Sequence, residues 1–374
     1  IFSSTPHVSL TAKAWEMLHH LILCACASLS ASSAACDKGA AARAWEKIEP
    51  ECRKKLETNR TLAAFRCLEG HFWEAREPEK RAGDFYTTLR KLRHDAEMFS
   101  WLEEEGKVTA DLKKAFRGIF HSAKQKHGDT PDKVFELAFG EDTNERKMWQ
   151  KANNKAVYWD PAGKEVPPKT VRAKAAALKG LEDALESTGR AVSDQFLSTK
   201  ALKLLKRFLE ASTIYFYPRS GYHMLALLED GLASPLLAQI VEGIRQALPR
   251  CGRVPLTSVR AWKADNSALP RDLQLEGPEL TPSGETNLLL WLVSSSSLNG
   301  DTAKDALLLF PVNASNNTST PVARIAYAAN RAVIWSEEFR AVWAGRSWKS
   351  GFLNRGIHLL FTFGWSSEGS CSAT

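Results

Sequence analysis

The sequence predicts an α+β protein: a helical N-terminal region followed by an all-β jelly-roll domain with flanking helices. Three observations carry that expectation. Apolar residues recur at helical spacing through much of residues 36–190. Residues 259–364 break instead into short alternating segments separated by polar turns. Between them stands one strongly amphipathic helix, with Leu236, Leu237, Ile240, Val241, Ile244 and Leu248 on a single stripe.

Taken in order, Thr87 to Leu102 places Leu89, Leu92, Ala96, Phe99 and Leu102 on one helical face, and Gly106 stops the helix. His94-Asp95 in this helix reads as a solvated surface pair. Lys155–Lys169 carries Asp160-Pro161, Gly163 and Pro167-Pro168 and reads as a linker. Ser198 is the N-cap of a helix whose buried stripe is Leu202, Leu205, Phe208 and Leu209. Thr213–Tyr217 alternates as a strand does. Ser234-Pro235 opens the amphipathic helix, with proline in its first turn, and Pro249 closes it. Strands are expected at Val259–Ala264, Asn287–Val293, Ala306–Val312, Val322–Tyr327, Arg331–Trp335 and Gly356–Phe363, with a polar loop between the last two. The expected organisation is therefore a leader over 1–35, a helical region over 36–190, the β domain over 191–364 and a disordered tail over 365–374.

The 50 basic and 43 acidic residues leave a net charge of +7, spread through mixed-sign segments such as ERKMWQKANNK, so solvated helix faces are expected and no nucleic-acid surface. No run of 18 apolar residues occurs, so no membrane span is expected. Met17 is the first methionine, and LHHLILCACASLSASSAAC after it reads as a signal peptide cleaved near Ala35. That places the protein in the secretory pathway or outside the cell, or in the cytoplasm if the segment is not a signal. Of seven cysteines, Cys36, Cys52 and Cys67 cluster where one disulfide would form in an oxidising compartment. Asn59, Asn313, Asn316 and Asn317 open glycosylation sequons.

The segment A-N-R-A-V-I-W-S-E-E-F-R … G-F-L-N-R-G-I-H-L-L-F-T-F-G, ending at Gly364, resembles the last strands of the 2-oxoglutarate/Fe(II)-dependent oxygenases of the prolyl-hydroxylase-like branch. V-S-D-Q-F-L-S-T-K-A-L, from Val192, resembles the entry to the same domain. The resemblance covers residues 190–364 well and 85–190 loosely. It implies that the jelly-roll is a double-stranded β-helix of cupin-like form.

It also implies a metal site of two histidines and one carboxylate, with an arginine on a late strand for the cosubstrate. Here the sequence departs from the family. Reading back from Asn287 and Trp291 puts Leu280 at the first histidine and Pro282 at the carboxylate, and Asp265–Thr286 contains no histidine. Asp272, Glu276, Glu279 and Glu285 in that stretch read as a solvated acidic loop. Arg340 stands at the distal histidine, where a guanidinium offers no lone pair to a metal. His127-Gly128-Asp129 has the His-x-Asp spacing but lies in the helical region; His223 precedes the barrel helix; His358 lies on the last strand.

No catalytic residue, metal ligand or cofactor is therefore expected of the sequence as written. Arg355 matches the first arginine of the family's N-R-R-I, Gly356 replaces the second, and Arg331 is a scaffold arginine. Arg355 and Arg340 are the candidates to line a pocket for a dicarboxylate or other anion. The reading is a catalytically degenerate binding or scaffold module with a protein or small-anion ligand. The alternative is an active prolyl or peptidyl hydroxylase using Fe(II) and 2-oxoglutarate, with its metal-ligand segment lost or altered in this sequence.

Overall fold

The computed structural model describes most of residues 50–68, 86–153, 170–264 and 284–364. The leader, the 155–169 linker, the acidic stretch 265–283, all four sequons and the tail lie outside the described residues.

Helix α1 (Pro50–Glu57) leads into a segment tied back by the Cys52–Cys67 disulfide. Cys52, Leu56, Ala64 and Phe65 are fully buried in the main core. A helical unit comes next in the chain. Strands β1 (Tyr86–Thr88) and β2 (Val134–Glu136) pair antiparallel beside α2 (Leu89–Glu104), α3 (Ala110–His127) and α4 (Asn144–Ala152). Thr88 caps α2 by accepting from the Lys91 amide, and Gly106, at φ +66°, turns the chain out of it. The unit has its own core, in which Phe116 lies 4.3 Å from Phe99 and 5.6 Å from Trp149, ring to ring.

Helices α5 (Ala175–Thr188), α6 (Thr199–Glu210), α7 (Pro235–Ala247) and α8 (Pro249–Arg253) accompany the β domain. Ser198 and Ser234 cap α6 and α7 through their hydroxyls, and Pro249 ends α7 only to start α8. The whole α7 stripe, Leu236 to Leu248, is fully buried in one core with the sheet.

Ten further strands form two antiparallel sheets. These are β3 (Arg190–Ser193), β4 (Tyr217–Arg219), β5 (His223–Leu227), β6 (Leu256–Ala264), β7 (Thr286–Trp291), β8 (Ala306–Pro311), β9 (Ala323–Ala326), β10 (Ala332–Ser336), β11 (Phe339–Ala344) and β12 (Ile357–Phe363). The larger sheet runs β3-β10-β7-β12-β6-β5-β4 and the smaller β11-β8-β9. They face each other as in a double-stranded β-helix: Trp291 of β7 lies 5.8 Å from Trp343 of β11. Every residue of β7 and β12 is buried, because one face meets the smaller sheet and the other meets helices.

Two expectations need correction. The segment expected as a loop before the last strand contains β11. Its Phe339, Ala341 and Trp343 turn inward opposite Pro311, Leu309 and Leu307, while Glu337 and Glu338 sit in the turn that passes from the larger sheet to the smaller and give the stretch its polar composition. The strand expected at Thr213–Tyr217 forms further on, at β4, and Thr213 instead donates to the Ala152 carbonyl at 2.6 Å.

The two family-like motifs touch. Asn330, at φ +60°, accepts from the Leu197 amide and donates to the Leu197 carbonyl, both at 2.8 Å. Arg331 forks onto Asp194 at 2.5 and 2.9 Å. The turn before β10 thus staples the chain that enters the domain, which is a folding role for residues the resemblance supplied as text. Among the described residues no helix is long and apolar enough to cross a membrane.

Candidate functional site

Two buried regions hold the chemistry-bearing side chains, and they lie on opposite faces of the larger sheet. The first is the space between the sheets. Register pairing puts Trp262, His358 and Trp291 side by side across β6, β12 and β7 on the inner face. The His358 ring is 4.8 Å from Trp343, 5.9 Å from Trp348 and 6.2 Å from Tyr327. The Tyr327 hydroxyl donates to the Val293 carbonyl at 2.5 Å. Gly356 makes room for this packing, since a Cβ there would lie 2.1 Å from the Trp348 ring. Four large aromatic side chains, each at most 5% exposed, therefore fill the space around one imidazole.

These residues do not fit an oxygenase iron. A two-histidine, one-carboxylate site needs three converging ligands. The aromatic cluster supplies one histidine, and no group of three His, Cys, Asp or Glu suited to a metal occurs among the described residues. His127 and Asp129 do not converge with the barrel: His127 closes α3 stacked on Phe135 at 4.2 Å, and Asp129 pairs with Lys124 at 3.3 Å. His223 begins β5 at the far side of the larger sheet.

Nor does the structure bring Arg340 and Arg355 to one pocket. Arg340 lies on the outer face of the smaller sheet with its guanidinium 4.7 Å above Phe310, because alternation along β11 sends Ala341 and Trp343 inward. Arg355, 1% exposed, precedes β12 on the other sheet and pairs with Glu97 of α2 at 2.6 Å.

That ion pair opens onto the second region, a charged seam between the helical unit and the larger sheet. From α2, Lys91 and His94 both bind Asp95; the His94 contact is 2.8 Å, and all three are at most 1% exposed. Across the seam, Lys263 of β6 lies fully buried with its ammonium 4.3 Å from the Phe352 ring and 5.2 Å from Tyr215. His94 in turn lies 5.5 Å from Phe352 and 5.6 Å from Tyr215, ring to ring. Glu210, at the end of α6, pairs with Lys206 at 3.3 Å.

Burial dominates the protonation equilibria here. It pushes Asp95 up to about 6 against the opposing pull of Lys91, and it lowers Lys91. Burial, then the charges of Lys263 and Arg355, hold His94 well below its ordinary range. Burial, then Arg355, lower Lys263 strongly, and burial raises Glu210 and Tyr215. So His94-Asp95 is no surface pair: it is the centre of a desolvated network. Sequence reasoning missed Lys91, Glu97, Glu210, Tyr215 and Lys263. The available signal was α2 itself, where Lys91, His94, Asp95, Met98 and Leu102 form a second stripe at helical spacing beside the apolar one.

No family model matches the sequence, and no curated protein matches it. Among solved structures, the chain is similar to a prolyl hydroxylase from Trichoplax adhaerens, in complex with a hypoxia inducible factor oxygen degradation domain peptide, at 12% identity and a TM-score of 0.38, over 54% of this chain and 94% of that one. It is similar to a Pseudomonas putida prolyl-4-hydroxylase at 14% identity and a TM-score of 0.34, over 50% and 98%. It is also similar to the non-heme alpha ketoglutarate dependent epimerase SnoN at 8% identity and a TM-score of 0.36, over 50% and 82%. At these identities the likeness assigns no chemistry and no residue to this chain.

Proposed function

We propose that this protein is a non-catalytic binding or scaffold module built on an oxygenase-type double-stranded β-helix. One observation carries the reading: the inter-sheet space holds Trp291, Tyr327, Trp343 and Trp348 packed around His358. Close packing of rings around the one histidine of this cluster supports a structural role for it rather than a metal-binding one. Arg355 and Arg340, engaged with Glu97 and Phe310, act as structural residues in this reading. The Cys52–Cys67 disulfide supports a secretory-pathway or extracellular location, where such bonds persist.

The test is metal analysis of the purified chain together with succinate release from 2-oxoglutarate. Substoichiometric iron and no succinate are expected. Stoichiometric iron with turnover would overturn the reading in favour of an active 2-oxoglutarate- and iron-dependent prolyl or peptidyl hydroxylase.

A further inference from the structure

The charged groups of the seam pair off with one left over. Lys91 takes Asp95, Arg355 takes Glu97, and Lys206 takes Glu210. Lys263 has no carboxylate partner among the described residues; its ammonium donates one long hydrogen bond, 3.4 Å, to the Glu210 carbonyl and otherwise faces the Phe352 and Tyr215 rings. A fully buried cation with no carboxylate in contact is costly, and such a site either releases its proton or acquires an anion. Two further buried polar atoms beside it have no hydrogen-bond partner: Nε2 of His94 and the hydroxyl of Tyr215. His94 and Lys263 approach the same two rings from α2 and from β6, all within 4.3 to 5.6 Å. Buried polar groups left without a partner are where folded proteins hold a bound water or ion.

We propose that Lys263, Tyr215 and His94 form a site for one small monovalent anion, of chloride or formate size, between the helical unit and the sheet. The ammonium supplies the charge and the Tyr215 hydroxyl donates. His94 donates from Nε2 once it is protonated, with Nδ1 held by the Asp95 carboxylate. Anion binding is therefore coupled to proton uptake. The charges facing the site are Lys91, Asp95 and Glu97 from α2, Glu210 from α6, Lys263 from β6, and Arg355 ahead of β12. The three acids are each held by a cation of their own, so they do not exclude an anion beside Lys263. The site is independent of whether the barrel is catalytic, and its readout is stability rather than iron or succinate.

The experiment is urea unfolding of the full chain in chloride, formate or gluconate at matched ionic strength, at pH 6 and pH 8. Chloride and formate raise the midpoint saturably, as linkage requires of a ligand bound by the native state, and gluconate, a much bulkier anion, does not. The effect is larger at pH 6. Lys263→Met abolishes the anion response. Tyr215→Phe, which keeps the ring, weakens the apparent affinity about tenfold or more, as loss of a hydrogen bond to a charged group does. The proposal falls if the three salts act alike, if the response weakens on acidification, or if Tyr215→Phe leaves the affinity unchanged. A Lys263→Met protein that responds as the parent does would also overturn it.

Discussion

The two faces of the larger sheet solve burial in opposite ways. Between the sheets, aromatic rings crowd around His358, and the buried polar side chains on the same face, Asn287 and Thr362, lie further along the strands. On the helical side, α2 meets β6 and the start of β12 through lysine, histidine, aspartate and arginine. The first surface is fixed by shape, and its energy scales with the volume filled. The second is fixed by charge pairing, and a buried pair is weak evidence for stability, since its desolvation offsets its attraction. The two faces therefore tolerate change differently. Shape complementarity is lost when one ring is removed, whereas a charge network is damaged by one substitution and repaired by a second.

The largest expected effects test that contrast directly. Trp291→Ala costs about 3–5 kcal/mol in urea unfolding, and no single neighbouring substitution restores it. Asp95→Ala strands Lys91 and costs about 3–5 kcal/mol as well. The double variant Lys91→Met/Asp95→Leu unfolds no more easily than the parent. If the double variant is as unstable as Asp95→Ala, the two faces do not differ in this respect.

A middle-sized effect is expected at the staple. Asn330→Ala removes both hydrogen bonds to Leu197 and leaves alanine at φ +60°, for about 2–3 kcal/mol together. Asn330→Gly, free of the strain, loses less, and comparing the two unfolding midpoints separates the contributions.

The pH dependence sharpens the comparison further, because burial shifts both His94 and Asp95 in the seam. Burial holds His94 below its ordinary value of 6.5 in the fold without an anion, so its contribution to stability is present above 6.5 and is lost as pH falls below it. Asp95 acts in the other direction. Raised from 3.8 to about 6, it binds its proton earlier in the folded state and adds stability as pH falls through that window. The two oppose each other in the parent. Asp95→Asn therefore loses stability between pH 6.5 and 4, and His94→Leu gains it, as unfolding midpoints across that range will read. The smallest effect is Arg331→Ala, below about 1 kcal/mol, since Asp194 is largely solvated and exposed pairs contribute little.

Periodic features were legible in the sequence. The α7 stripe, the Ser198 and Ser234 caps and the six drawn strands appear within three residues of their expected ends, because hydrophobic period and cap chemistry are local. The widest offset is at β6, which begins at Leu256 rather than Val259. Strand β11 escaped notice because Arg340 and the Glu337-Glu338 turn mask an alternation that only its pairing with β8 makes visible. The seam escaped for a different reason. Lys91 and Asp95, four residues apart, have the spacing of an exposed helical ion pair, and nothing local says that Lys263 and Arg355 arrive from the far end of the chain to bury them. Tertiary burial turns a surface pattern into a core one without altering a letter of it.

Gly356 carries a consequence beyond packing. With a Cβ placed only 2.1 Å from Trp348, the ring can lie against the backbone solely because a hydrogen atom occupies that position. The seat of Trp348 is one residue wide. Gly356→Ala would unseat it and leave the imidazole of His358 without one wall, an event that reports itself as a red shift in tryptophan emission. The packing of Trp348 is thus decided at a position where almost any side chain would be the wrong one.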